Sequence, residues 1–185
     1  MQNAVVLLAD GFEEIEALSV VDILRRGGVE VVMAAIGENI EVRGAHGIIV
    51  KADEMLANVK ETDFAVVILP GGGEGTENLK ASHEVFDLLR RQKSEGRLIA
   101  AICAAPIVLV EAEVLDPDQH ITCYPTCSVE LDRKSANVPV VADGDIITGQ
   151  GPGAAMLFAL VVLQALLGEK TMHKIARQLV TNVLD

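Results

Sequence analysis

Three short segments of this sequence are apolar at every position: Ala4-Val5-Val6-Leu7-Leu8-Ala9, Phe64 to Leu69, and Leu98-Ile99-Ala100-Ala101-Ile102. A strand with one wet face alternates apolar and polar residues, whereas a strand apolar throughout has to be covered on both faces. Between these segments lie stretches with helical spacing, Glu13 to Arg26, His83 to Glu95 and Ala105 to Glu113, and a fourth helix runs to Leu167. The alternation predicts a doubly wound α/β sandwich: a mostly parallel sheet with helices on both faces. Half of the residues are hydrophobic but only 3% are aromatic, so the core must be built of Val, Ile, Leu and Ala. No linker, repeat or low-complexity segment interrupts the chain, and the expectation is one domain over residues 1–185.

The remaining punctuation is local. Gly27-Gly28 ends the first helix, and Val29 to Ala35 reads as the second strand. Glu41 to Val50, with Gly44 and Gly47 inside it, reads as a hairpin. Met55 to Val59 reads as a short helix, and Ser82 as the cap of the helix that starts at His83. Ile121 to Cys123 and Val138 to Ala142 are strand-like, and Asp143-Gly144 turns the chain into Asp145 to Thr148. Gly151-Pro152-Gly153 opens the apolar helix to Leu167, and Thr171 to Val183 forms the last helix. The run Ala154 to Leu167 contains Gln164 and is too short to span a bilayer. A formal net charge of −12 argues against nucleic acid and anionic membranes as partners, because phosphate binding needs basic patches. Three cysteines, an odd number, with no secretory leader, imply a reducing, cytoplasmic setting.

In such sheets ligands bind at the carboxyl ends of the strands, where the loop after Ala9, the glycine run after Leu69 and the turn at Cys103 should meet. Cys103 closes a buried strand and precedes the small residues Ala104-Ala105-Pro106. A strand that ends on a nucleophile and turns at once into a helix leaves the side chain at the sheet edge over the helix N-terminus, which should favour thiolate. The N–H groups of Gly72, in the run Gly71-Gly72-Gly73, and of Ala104 are candidate oxyanion donors. The glycine runs are not phosphate loops: no Gly-Lys-Ser/Thr follows, and the dinucleotide glycine spacing fails. Glu13, Glu14 and Glu16 open the first helix, where carboxylates are favoured. Glu16, however, lies on the helical wheel between Val20 and Ile23, so its carboxyl should have a raised pKa and serve as an acid or base. No His follows Cys103 directly, and His46, between Gly44-Ala45 and Gly47, is the histidine best placed to reach a site. His83, His120 and His173 read as solvated. Cys123 and Cys127 lack further ligands at zinc spacing, so no metal is expected. Cys127 remains a possible redox partner for Cys103.

These residues resemble the parkinsonism-associated deglycase branch of the ThiJ/PfpI superfamily, from Val5 to about Val183. The resemblance is carried by Asp10-Gly11-Phe12-Glu13-Glu14-Ile15-Glu16, Leu69-Pro70-Gly71-Gly72-Gly73, Ala100-Ala101-Ile102-Cys103-Ala104-Ala105-Pro106, Ile121-Thr122-Cys123-Tyr124-Pro125 and Gln150-Gly151-Pro152-Gly153. It implies a flavodoxin-like sandwich and a homodimer with active sites near the interface. It also implies Cys103 as the reactive cysteine, Glu16 as its protonated carboxyl partner, and Gly72 and Ala104 as backbone donors. The family activities it brings are cofactor-independent conversion of methylglyoxal-type dicarbonyls to hydroxy acids, repair of glycated proteins, and oxidative sensing or chaperoning through the cysteine. Two positions depart from relatives. Ala104 stands where protease-like members carry His, which argues against a peptidase, and the absence of a His-x-Glu pair argues against a class I glutamine amidotransferase. Tyr124 stands where several members carry His, and a phenol with an ordinary pKa near 10 is a poorer base at neutral pH. Glu13, His46 and Tyr124 are therefore candidates for substrate contact or proton shuttling. The expected function is a cytoplasmic, glutathione-independent glyoxalase or deglycase acting through a hemithioacetal on Cys103. The other reading is a redox sensor without turnover.

Overall fold

The computed structural model describes residues 2–129, 131 and 135–181. The chain begins with β1 (Asn3–Leu8), α1 (Glu14–Gly27) and β2 (Glu30–Ala35), then the hairpin β3 (Glu41–Arg43) and β4 (Ile49–Lys51). It continues through β5 (Glu54–Met55), α2 (Leu56–Val59), β6 (Val66–Leu69), α3 (Gly73–Lys80), α4 (His83–Ser94) and β7 (Leu98–Ile102). After α5 (Pro106–Glu111) come β8 (Val140–Asp143), β9 (Ile146–Gly149), α6 (Ala155–Leu167) and α7 (Glu169–Gln178). Seven strands make one sheet in the order β5-β2-β1-β6-β7-β9-β8, parallel except for the β8–β9 hairpin.

The uniform hydrophobicity of β1 has a direct cause. Ala4, Val6 and Leu8 face one core, with Val20 and Leu24 of α1, Phe158 and Leu163 of α6, and Ile175 of α7. Val5, Leu7 and Ala9 face the other, with Leu79 of α3, Leu88 and Leu89 of α4, and Val108 of α5. A polar residue at any of these positions would meet a helix rather than water. Gly27 has a packing role: a Cβ there would lie 2.4 Å from Leu163 Cδ1, so glycine is what lets α6 approach the end of α1. No helix among the described residues is long and apolar enough to cross a membrane.

The expectations fail at four places. The glycine run does not stay a loop, since Gly72 caps α3 directly. Ile121 to Cys123 forms no strand; it makes one bridge, from Ile121 to Ser135. Thr122 is instead held by side chains: its N–H donates to Thr148 Oγ1 (2.9 Å), and its hydroxyl lies 2.7 Å from the Ala136 carbonyl. The helix after Cys103 covers only Pro106–Glu111, and Glu113 follows with φ 59. The last helix ends at Gln178, with Val180 left-handed at φ 54; Val183 lies outside the described residues.

β1 leads to β2 on one side and has β6 on its other side, so the sheet reverses its winding direction between β1 and β6. The loop after β1 and the loop after β6 part at that point and leave a crevice at the carboxyl ends of the strands. Gly72 bridges the two loops: a Cβ on it would lie 2.2 Å from the Gly11 carbonyl oxygen, and its φ is 94°. Only glycine satisfies both conditions.

Candidate active site

Cys103 follows β7 without a spacer. Its φ is 66°, in the left-handed region that a non-glycine residue occupies at a cost of about 1–3 kcal/mol. Two hydrogen bonds hold it there. Its N–H donates to the Gly149 carbonyl (2.9 Å), and its carbonyl accepts from the Tyr124 N–H (2.8 Å). The side chain is mostly buried, with 9% of the residue exposed.

Glu16, on α1, is fully buried. Its Oε2 accepts the Gly71 N–H at 2.7 Å, and its Oε1 has no hydrogen-bond partner of normal geometry among the described residues. The Cys103 thiol lies beside this carboxyl. Gly71 lies between them: a Cβ on this residue would be 2.6 Å from Cys103 Cβ and 2.8 Å from Glu16 Oε2. The glycine is thus a requirement for close approach of the two acids.

Burial raises Glu16 to about 7, against its hydrogen bonds with Gly71 and Cys103. The thiol does not follow the expectation that a helix N-terminus would favour thiolate. Burial first, then the charge of Glu16, pushes Cys103 up to about 12, opposed by the N–H groups of Gly72 and Ala104. The helix dipole fails here for a structural reason: α5 has six residues and starts three residues beyond Cys103. The two acids share one site and repel each other's charges, so they lose protons in sequence. The pair loses its first proton around neutral pH, and the N–H groups of Gly71, Gly72 and Ala104 stabilise the negative charge that results.

Glu13 joins this centre from the other side. It caps α1, with Oε2 accepting the Glu16 N–H (2.8 Å), and its own N–H donates to the Gly71 carbonyl (2.9 Å). His46, on the turn between β3 and β4, does not approach Cys103 through any contact within this chain. Its Nδ1 lies 2.8 Å from Glu14 Oε2 and 3.9 Å from Glu13 Oε1. The hydrogen bond and charge of Glu14 hold the imidazole above its ordinary range. Burial works to raise Glu14, but its hydrogen bonds with His46 and the Ile48 N–H bring it below the usual value. Glu13, Glu14 and His46 can place one ligand atom each within 4.8 Å, which is the arrangement among the described residues that could hold a metal ion. Both Glu14 oxygens are already committed to His46 and the Ile48 N–H.

Tyr124 is joined to the nucleophile through its backbone, and its ring lies half-exposed beside Gly151. Cys127 sits in the 3₁₀ turn Pro125–Val129, with its N–H on the Tyr124 carbonyl (2.9 Å). None of the three cysteines is in a disulfide among the described residues. Cys123 is buried, with Sγ 3.4 Å from Ser135 Oγ. Sequence reasoning named Gly72 and Glu16 but missed Gly71, Glu14 as the partner of His46, and the Thr122–Thr148 bond. The Gly71 role had a visible signal, three successive glycines at a strand end; the other two depend on contacts far apart in sequence.

A parallel sheet that ends on a strained cysteine, with a buried carboxyl against the thiol and glycine N–H groups beside it, defines a flavodoxin-like α/β protein with a nucleophile turn. The sequence profile of the DJ-1/PfpI family matches residues 2–165, and the chain belongs to that family. It is 39% identical over 181 residues to Protein dj-1beta of Drosophila melanogaster, covering 96% of each. It is 36% identical over 176 residues to the glutathione-independent glyoxalase DJR-1.2 of Caenorhabditis elegans, covering 92% of each. The solved structure of oxidized DJ-1 from Toxoplasma gondii superposes with a TM-score of 0.94 at 34% identity, over 98% of this chain and 100% of that one.

Proposed function

We propose that this protein is a cytoplasmic, glutathione-independent glyoxalase that converts methylglyoxal-type α-oxoaldehydes, or their adducts on proteins, into hydroxy acids. The observation that carries the reading is the Cys103–Glu16 pair, two buried acids brought together over Gly71, of which Glu16 gives up its proton around neutral pH. Attack of Cys103 sulfur on the aldehyde carbon passes the thiol proton to Glu16 and makes a hemithioacetal. The Gly72 and Ala104 N–H groups are placed to steady the oxygen that becomes negative. Glu16 hands that proton to the new oxyanion, completing the hemithioacetal, and as the carboxylate then removes the proton from the former aldehyde carbon and returns it to the neighbouring carbon through an enediol. The first carbon is oxidised to a thioester and the second reduced to an alcohol. Water hydrolyses the thioester, releasing the hydroxy acid and restoring the thiol. The redox change is internal to the substrate, so the scheme calls for no cofactor. In this scheme Glu13, tied to both Glu16 and Gly71, contacts the substrate oxygens, and His46, beside Glu14 and Glu13, is a further candidate for substrate contact or proton shuttling. The C. elegans relative named as a glutathione-independent glyoxalase supports this assignment.

The active form is a homodimer in this reading. Ile15 and Leu18 on α1, and Ile48 and Ile49 on the hairpin, are exposed apolar residues. The bridge from Phe12 to Gly44 ties the start of α1 to the hairpin, and exposed apolar side chains on both elements support a surface for a second copy. The test of function is lactate formed from methylglyoxal without glutathione. Wild type forms it and Cys103→Ser does not; equal lactate from both overturns the assignment. The oxidized structure of a relative supports a second use of the same thiol, as a redox sensor. In that use peroxide adds about 32 Da at Cys103, where the Gly72 and Ala104 N–H groups can hold the sulfinate.

A further inference from the structure

Two segments next to the hydrogen bonds on the Cys103 backbone line a groove. Its walls are Tyr124 and Pro125 on one side and Pro139, Gly151, Pro152 and Ala154 on the other, around a space of about 390 Å³. Both walls are bonded to the nucleophile's own peptide groups: Tyr124 through its N–H to the Cys103 carbonyl, and the 149–154 segment through the Gly149 carbonyl that accepts the Cys103 N–H. No charged side chain lines the groove, and its amide, Gln150, is already paired with Asn137 at 2.8 Å. Gly151 lets the ring lie close to the chain: a Cβ there would be 3.2 Å from Tyr124 Cδ2.

We propose that this groove, resting on the reaction assigned above, is a specificity subsite that takes a neutral aromatic substituent of an α-oxoaldehyde held at Cys103. The volume lies at the lower end of the range for small-molecule sites. A flat ring fits between the wall of Tyr124 and Pro125 and the wall of Pro139 and Pro152, where it gains both burial and stacking. A carboxylate substituent would enter an uncharged groove of a protein with net charge −12 and is disfavoured. Tyr124 thereby acts through its ring, as a wall, and not through its hydroxyl as a base.

Two measurements test this. The first is the ratio of kcat/KM for phenylglyoxal to that for methylglyoxal. Wild type should favour phenylglyoxal by about tenfold or more, Tyr124→Ala should lower the ratio about tenfold through KM, and Tyr124→Phe should keep it within about twofold. A ratio unchanged in Tyr124→Ala, or lost equally in Tyr124→Phe, overturns the proposal. The second is independent of turnover. The chain has one tyrosine and no tryptophan, so its near-ultraviolet-excited emission reports on Tyr124 alone. Mandelate should change that emission saturably and lactate at equal concentration should not. If methylglyoxal is not turned over, the function assignment fails and the mandelate titration still decides the groove: no saturable change overturns it.

Discussion

Replacing Glu16 by Gln tests the buried acid without changing its shape. The amide oxygen can still accept the Gly71 N–H, which now bonds Oε2 at 2.7 Å. What the variant loses is ionisation. Glu16 moves from an ordinary 4.5 to about 7 on folding because burial disfavours the carboxylate. A carboxyl raised in the folded state binds its proton more tightly there than in the unfolded chain. Its contribution to stability is therefore complete below 4.5, falls as pH rises, and is fully lost above about 7. At about 1.4 kcal/mol per pKa unit the loss amounts to ~3 kcal/mol, of which about three-quarters falls between pH 5 and 8.5. Urea unfolding of wild type and Glu16→Gln, at one fixed protein concentration, should give a stability difference that moves in favour of the variant by about 2.5 kcal/mol across that window. The other titrating groups are common to the two proteins; Cys103, which the charge of Glu16 helps to raise, changes with it, and burial still holds that thiol up in the variant. A pH-independent difference, or one that moves in favour of wild type as pH rises, would refute the burial argument.

Gly71→Ala should keep the fold but reduce kcat by about a hundredfold, because its Cβ would sit 2.6 Å from Cys103 Cβ and force the two acids apart; steady-state kinetics beside a urea curve separates the effects. Thr148→Val should destabilise the protein by about 1–3 kcal/mol, since it leaves the buried Thr122 N–H without the Oγ1 that accepts it. A urea midpoint equal to that of wild type would contradict this. His46 should titrate above its ordinary 6.5 in an NMR pH series, and Glu14→Gln should bring it down, because the Glu14 hydrogen bond is the larger cause of its shift.

The sheet was legible in the sequence where burial on two faces left no polar position. Leu98 to Ile102 forms β7 as expected, and the Asp143-Gly144 turn joins β8 to β9. Glu16 was legible because its helical neighbours Val20 and Ile23 are apolar. Elements went unread where local composition opposed the outcome. Gly73–Lys80 carries two glycines in its first turn, yet it forms α3 because Gly72 docks on Gly11 and Leu79 enters the core below. Ile121 to Cys123 has the β-branched residues of a strand, but Thr122 is satisfied by Thr148 and by the carbonyls of Ala136 and Val138. The thiol was misread for a similar reason. The sequence shows the helix after Cys103 and conceals the charge of Glu16, 87 residues earlier, which with burial outweighs it.

The pH dependence of kcat/KM for methylglyoxal in wild type and Glu16→Gln tests the paired acids most directly. In wild type the rate should rise through about 7, as the pair loses its first proton, and hold above that. In Glu16→Gln the limb near 7 should vanish and the rate should drop by about a hundredfold or more, the usual worth of a positioned acid–base group. A variant that keeps both the limb and the rate would show that Cys103 works without Glu16, and the central claim would be wrong.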